Sequence, residues 1–301
     1  MRGSKRFGVL LWAVPLSAVL FAQPALRQQT AAIAAEAQGK VSVACSLPGS
    51  ALDCNLNPHA HPPMQSVFKA PLAFAVLHLV ERGDLSLDSP VRFREVDRIP
   101  HAYSPLQDQY PGGEVDVPLR RLLSMAVSLS DNVAADLVLR LIGGPAVVDR
   151  YMQQAAISGF HLEDNEATLH RDPSAQYRNW FEPAGAVEFL RLLNDHPPLA
   201  RQHAELLLGW MRTTPRGNQR IGGRLPAGTV VFHKPGTSDT GHGLTPATND
   251  IGLITLPDGR RLAIAVFVTD STADAAQRDS VIARIARAAY DAATETDKKN
   301  K

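Results

Sequence analysis

Apolar residues recur at helical spacing through the middle of this chain and gather into strand-like runs towards its two ends. Residues 26–38 (LRQQTAAIAAEAQ) are rich in Ala and Gln and predict a helix. Two strand-like runs then flank the Pro48-Gly49 turn signal. From Ser66 to Glu81 apolar residues fall on nearly every face, among them Val67, Phe68, Leu72, Phe74, Val76, Leu77, Leu79 and Val80. Such a helix must be buried all round, and Gly83 closes it. Residues 85–115 are rich in Pro, Asp and Gly and read as loop. Helical periodicity returns over Val117–Leu129 and Ala134–Ile142, and further helices are expected at 145–157, 183–195 and 199–212. Between them, Leu162–Trp180 is polar, holds Pro173 and shows no period. A loop of that length inside a compact domain is usually functional.

The last part of the chain differs. Thr229–Lys234, Ile251–Leu256 and Arg261–Thr269 are rich in Val and Ile, and Pro257-Asp258-Gly259 makes a hairpin turn. A closing helix over about 273–293 and a charged tail at 296–301 follow. Strands at both ends with helices between them predict an antiparallel sheet built from both termini, with a helical insert. No internal repeat is visible.

The first residues stand apart. Arg2, Lys5 and Arg6 precede an almost uncharged apolar run, Phe7 to Ala22, with small residues Ala22 and Ala25 as cleavage points. This is the layout of a signal peptide, residues 1–22, which predicts export to the periplasm. The run is short of the ~20 residues needed to span a bilayer, and no later segment is long and apolar enough, so no membrane association is expected after its removal. Composition fits an ordinary globular protein, with 45% hydrophobic and 20% charged residues. A net charge of +1 gives no electrostatic footprint for nucleic acid. Loss of the leader would leave 28 basic against 30 acidic side chains, a slightly acidic mature protein. Cys45 and Cys54 flank the turn between the first strands and are expected to form a disulfide in an oxidising compartment.

Three short motifs carry chemistry. In Ser66-Val67-Phe68-Lys69, positions i and i+3 share a helix face, so Lys69 can approach the Ser66 hydroxyl. A serine needs an adjacent base to act as a nucleophile, and a partly desolvated lysine can serve. Ser130-Asp131-Asn132 follows at a break between two helices, and His233-Lys234-Pro235-Gly236-Thr237-Ser238 lies on a late strand. Serine–lysine, Ser-Asp-Asn and Lys-x-Gly in that order form the signature of penicillin-interacting serine enzymes. On these residues the chain resembles a class A serine β-lactamase. Asn165-Glu166-Ala167-Thr168-Leu169-His170 and Gln176-Tyr177-Arg178-Asn179-Trp180 resemble the loop of the PER and VEB type extended-spectrum subgroup. The likeness runs from about Val41 to Tyr290 and includes Thr214-Pro215-Arg216-Gly217, Asn249-Asp250-Ile251-Gly252 and Leu256-Pro257-Asp258-Gly259.

The resemblance implies an α+β fold: an α/β part with a five-stranded antiparallel sheet, plus an all-helical part. The expected division is 26–62 with 212–295 for the first and 63–211 for the second. It also implies hydrolysis of the β-lactam amide of penicillins and cephalosporins through an acyl-serine. Ser66 would attack, with Lys69 or Glu166 through a water as base, a choice disputed for the family. Ser130, assisted by Lys234, would protonate the leaving nitrogen, and Glu166 would activate the deacylating water near His170. Asn132 would hold the acylamino side chain, and Tyr103 would form a wall of the cleft. Asp131, His233 and His242 read as structural.

Two departures matter. The family usually has Thr or Ser after the strand lysine, whose hydroxyl helps to hold the substrate carboxylate; Pro235 has neither hydroxyl nor N–H. Thr237, Ser238, Ser130 and Arg220 are expected to share that task. Asp164 and Asn179 also stand where most class A loops carry an ion-paired arginine and aspartate, so no pair, a loop held differently and a wider cleft are expected. His59-Ala60-His61 resembles a metal-ligand pair, but no following Asp completes a triad, so neither metal nor cofactor is expected. The expected partner is a small β-lactam, and the protein is expected to be a monomer. A D-alanyl-D-alanine peptidase and a non-catalytic β-lactam sensor are the rival functions. Glu166 argues against the first, and the absence of any membrane segment beyond the leader against the second.

Overall fold

The computed structural model describes residues 22–299. The leader therefore lies outside the described residues except for Ala22, which already belongs to a helix. The described residues open with α1 (Ala22–Ala34) and β1 (Lys40–Ser46), followed by the buried helix α2 (Lys69–Glu81). Next come β2 (Pro90–Phe93), α3 (Pro105–Gln109), β3 (Val115–Pro118), α4 (Leu119–Ser124), α5 (Asn132–Ile142) and α6 (Pro145–Gln154). The two-residue strands β4 (Phe160–His161) and β5 (Trp180–Phe181) bracket α7 (Glu166–Arg171). Helices α8 (Pro183–Asp195) and α9 (Arg201–Arg212) precede β6 (Val231–Thr237), β7 (Thr245–Thr255), β8 (Arg261–Ser271) and α10 (Ala275–Lys299). The charged segment at 296–299 thus continues the last helix instead of forming a separate tail.

The main sheet is antiparallel, in the order β1-β8-β7-β6. The first strand lies against the last, as a sheet drawn from both termini requires. Side chains alternate across a strand, and β8 uses this to bind two layers. Leu262, Ile264, Val266 and Val268 join the core formed with α1 and α10. Ala263, Ala265 and Phe267 face the helical core on the other side. That core is centred on α2, where Lys69 to Leu77 are all buried. Phe74 meets Phe189 of α8 edge-on at 5.5 Å.

Two expectations are corrected. The sheet has four strands among the described residues, not five. The segment after the Cys45–Cys54 disulfide returns along β1 but makes a single bridge, Val43 with Leu56. The ladder stops because the Cys45 N–H is taken by the Asn55 side chain at 3.3 Å instead of a backbone carbonyl. The stretch 85–115 is more than loop: β2 and β3 pair from Pro90–Pro118 to Phe93–Val115. Four-residue strands with proline at one end carry too little alternation to register in sequence.

Candidate active site

A tight turn, Gln65–Phe68, leads into α2 and presents Ser66. Gln65 adopts a left-handed backbone, φ 50°. Gly236 of β6 comes so close that a Cβ there would lie 2.5 Å from the Met64 carbonyl oxygen. The Ser66 segment is thereby pressed against the strand that carries Lys234. Lys69, one helical turn on, is fully buried and fully bonded. Its Nζ donates to Ser66 Oγ (3.0 Å), Ser130 O (2.9 Å) and Asn132 Oδ1 (2.5 Å), and pairs with Glu166 Oε1 at 2.8 Å.

The second motif sits at a helix break. The turn Met125–Leu129 is widened to π geometry, and Ser130 follows in the left-handed region, φ 63°. Such insertions frequently mark functional sites. Asp131 is structural: it caps α5 by accepting from Ala134 N, and it also accepts from Ser104 Oγ and Leu106 N. Lys234 Nζ donates to Ser130 Oγ at 2.8 Å and to Pro235 O at 3.0 Å. Burial, with Lys69 nearby, pushes Lys234 well below the usual lysine range.

The polar loop contains α7, and Glu166 is its first residue. The opening N–H groups of a helix need partners. Here Asp136 accepts from Glu166 N (2.8 Å) and Ala167 N (2.9 Å), and Asn165 accepts from Thr168 N (3.0 Å). Burial and then the Glu166 charge push Asp136 up to about 7. The Glu166 Oε1 lies 3.5 Å from Ser66 Oγ.

The neck of the loop overturns one expectation. Its ion pair is present, displaced by one residue and reversed in sign: Arg178 Nε meets Asp164 Oδ2 at 2.8 Å. Asn179 adds a clamp. Its Oδ1 accepts from Glu163 N and Asp164 N, and its Nδ2 donates to Asp164 O. Met64 N donates to Asn179 O at 3.0 Å, tying the neck to the turn that presents Ser66.

Other expected residues divide. Arg220 is buried and donates to Thr237 Oγ1 (2.8 Å), Gly236 O and Asn249 O, while its Nε pairs with Asp279. Thr237 and Arg220 therefore come together beside Lys234. Ser238 is turned away: its Oγ exchanges bonds with Ala247 N and Ala247 O of the neighbouring strand. His170 is exposed on α7, its Nδ1 bonded to Glu166 O at 2.9 Å, which braces the helix. Tyr103 is 44% exposed, and its carbonyl accepts from Asn132 N. His233 lies buried against Asp250. His59 and His61 both face Glu182, and no group of three ligating side chains is arranged for a metal among the described residues.

Two further contacts leave no signal in the sequence, those of Asp136 and of Arg216. Asp136 acts through backbone groups 30 residues away, which leaves no local pattern. The Arg216 guanidinium lies over the Tyr103 ring, 4.1 Å from its centroid.

A buried lysine between a serine hydroxyl and a carboxylate, with a second lysine on a second serine, is the equipment of an acyl-serine hydrolase. Residues 25–293 match the Beta-lactamase enzyme family. The chain belongs to the class A serine β-lactamases, and its activity is hydrolysis of β-lactams, the basis of resistance to these antibiotics. It is similar to the extended-spectrum beta-lactamase PER-1 of Pseudomonas aeruginosa, 42% identical over 267 residues, covering 89% of this chain and 87% of that protein. Beta-lactamase VEB-1 of the same organism is 35% identical over 234 residues, covering 77% and 78%. Among solved structures, a beta-lactamase from Chitinophaga pinensis DSM 2588 superposes with a TM-score of 0.86 at 42% identity, covering 89% and 99% of the two chains. The TLA-1 extended spectrum beta-lactamase gives 0.87 at 34% identity, covering 90% and 99%. These likenesses do not favour the peptidase and sensor alternatives.

Proposed function

We propose that Ser66 is the nucleophile and that Lys69 and Glu166 manage its proton. The observation that carries this is the position of Lys69 Nζ, 3.0 Å from Ser66 Oγ and 2.8 Å from Glu166 Oε1. Ser66 Oγ adds to the β-lactam carbonyl and gives its proton to this pair. The backbone N–H groups of Ser66 and Thr237 take the developing oxyanion, where one such donor contributes about 3 kcal/mol. The C–N bond then breaks, and the nitrogen receives its proton from Ser130, which Lys234 holds at 2.8 Å. Glu166 next draws a proton from water, which attacks the ester; the C–O bond breaks and Ser66 recovers its proton. Asn132 holds the acylamino side chain. Lys234, Thr237 and Arg220 mark the end of the cleft that receives the ring carboxylate.

The substrates in this reading are penicillins and cephalosporins. The catalytic unit is one discontinuous domain, residues 26–62 with 212–295 around the helical 63–211, acting as a periplasmic monomer after cleavage between 22 and 25. No helix among the described residues is long and apolar enough to cross a membrane. The test of the mechanism is Glu166→Ala with nitrocefin: one equivalent of product and a stable acyl-enzyme by mass spectrometry are expected. Continued fast turnover would remove Glu166 from deacylation. The intact mass of periplasmic protein, and its sedimentation, check processing and assembly.

A further inference from the structure

Pro235 leaves the carboxylate end of the cleft without the hydroxyl that this position usually supplies. The strand tolerates proline because β6 is the edge of the sheet. The space beside the pyrrolidine ring is closed by Gly217: a Cβ on that glycine would lie 2.8 Å from Pro235 Cβ, and its φ is +71°. Gly217 follows Arg216, so this contact packs the turn that carries Arg216 against Pro235. Arg216 is exposed and has no ion pair among the described residues, whereas Arg220 is held by Asp279 and three further bonds. The Arg216 guanidinium instead lies over the Tyr103 ring, 4.1 Å from its centroid. Tyr103 is in turn fixed through its carbonyl to Asn132 N at 3.2 Å. A guanidinium stacked on an aromatic face keeps its N–H edge free, and its planar fork matches a carboxylate.

We propose that Arg216 is a further substrate-binding residue, which holds the β-lactam ring carboxylate in place of the hydroxyl lost at Pro235. Tyr103 keeps the guanidinium extended across the mouth before substrate arrives, and Arg220 with Thr237 binds the same carboxylate from below. The charge of Arg216 is among those that depress Lys234, as expected for a cation on this side of the cleft. The proposal rests on the reading that Lys234, Thr237 and Arg220 mark the carboxylate end.

Steady-state kinetics with benzylpenicillin and nitrocefin test it. Arg216→Ala is expected to raise KM about tenfold with kcat nearly unchanged, the mark of lost uniform binding. Arg216→Lys should recover part of the loss. Adding Pro235→Thr to Arg216→Ala should return KM to within about threefold of the parent, since a restored hydroxyl supplies the missing hydrogen bond to charge. Raising ionic strength should weaken the parent more than Arg216→Ala. An unchanged KM in Arg216→Ala, with a raised KM in Arg220→Ala, would overturn the proposal alone. So would a double variant no better than Arg216→Ala, provided its thermal unfolding matches the parent. An unchanged KM in both arginine variants would overturn the carboxylate-end reading as well.

Discussion

The floor of the active site and the loop that closes it meet in Glu166, yet they are held by different physics. On the floor, Lys69 and Lys234 are wholly buried, and each has at least two oxygen partners within 3.0 Å. Charges out of water persist only when paired and hydrogen-bonded, so each member depends on the others. At the loop neck, the Arg178 side chain that meets the largely buried Asp164 carboxylate is 42% exposed, so solvent reaches the pair from one side. Exposed pairs contribute little, and the neck relies instead on the buried Asn179 amide. A reversed ion pair can therefore replace an ordinary one there, whereas the floor leaves no such freedom.

Removal of floor residues should break this contrast most severely. Ser66→Ala should abolish turnover of every β-lactam while leaving the thermal midpoint close to the parent, because the hydroxyl is only part-buried. Residual turnover above the rate in buffer would show that another group attacks.

Asn179→Ala should come next. It orphans the N–H groups of Glu163 and Asp164 and the Asp164 carbonyl, which together should cost about 2–4 kcal/mol in urea unfolding. Deacylation should slow more than acylation, seen as accumulation of acyl-enzyme in single-turnover measurements.

Asp136 links the two regions and should give a pH-dependent effect. Its carboxyl is raised from 3.8 to about 7 on folding. Between those values the folded protein keeps a proton that the unfolded chain has released. Its contribution to stability is therefore full at low pH, declines as pH rises through this window and levels off above about 7. Asp136→Asn should remove that slope from the urea midpoint measured between pH 5 and 8; an identical slope in both proteins would contradict the raised value.

Arg178→Ala should matter least, shifting the urea midpoint only slightly, because solvent screens the exposed guanidinium. The charge-swapped protein, Asp164→Arg with Arg178→Asp, should match the parent in stability more closely than either single variant. A loss as large as that of Asn179→Ala would mean that the pair, not the amide, holds the neck.

Local signals made much of this legible in advance. Helix α8 spans 183–195 as its periodicity predicts, and α2 follows the all-apolar run after Ser66. The Ser66–Lys69 spacing forecast their contact because both lie on one helical turn. The polar segment 162–180 gave no sign of α7, since that helix is six residues long and its first N–H groups are covered by Asp136 from another helix. Ser238 and His170 belong to matching motifs, but their polar atoms are used by neighbouring backbone.

The sequence by itself determined the longer helices, the late strands of the main sheet, the serine–lysine pair and the identity of the groups available for catalysis, because these follow from spacing within single helices and strands. Only the tertiary structure decided which charges face one another: Arg178 with Asp164, Asp136 with the start of α7, and Arg216 with Tyr103. Those contacts join residues brought together by loop paths and packing, and one-dimensional periodicity holds no record of them.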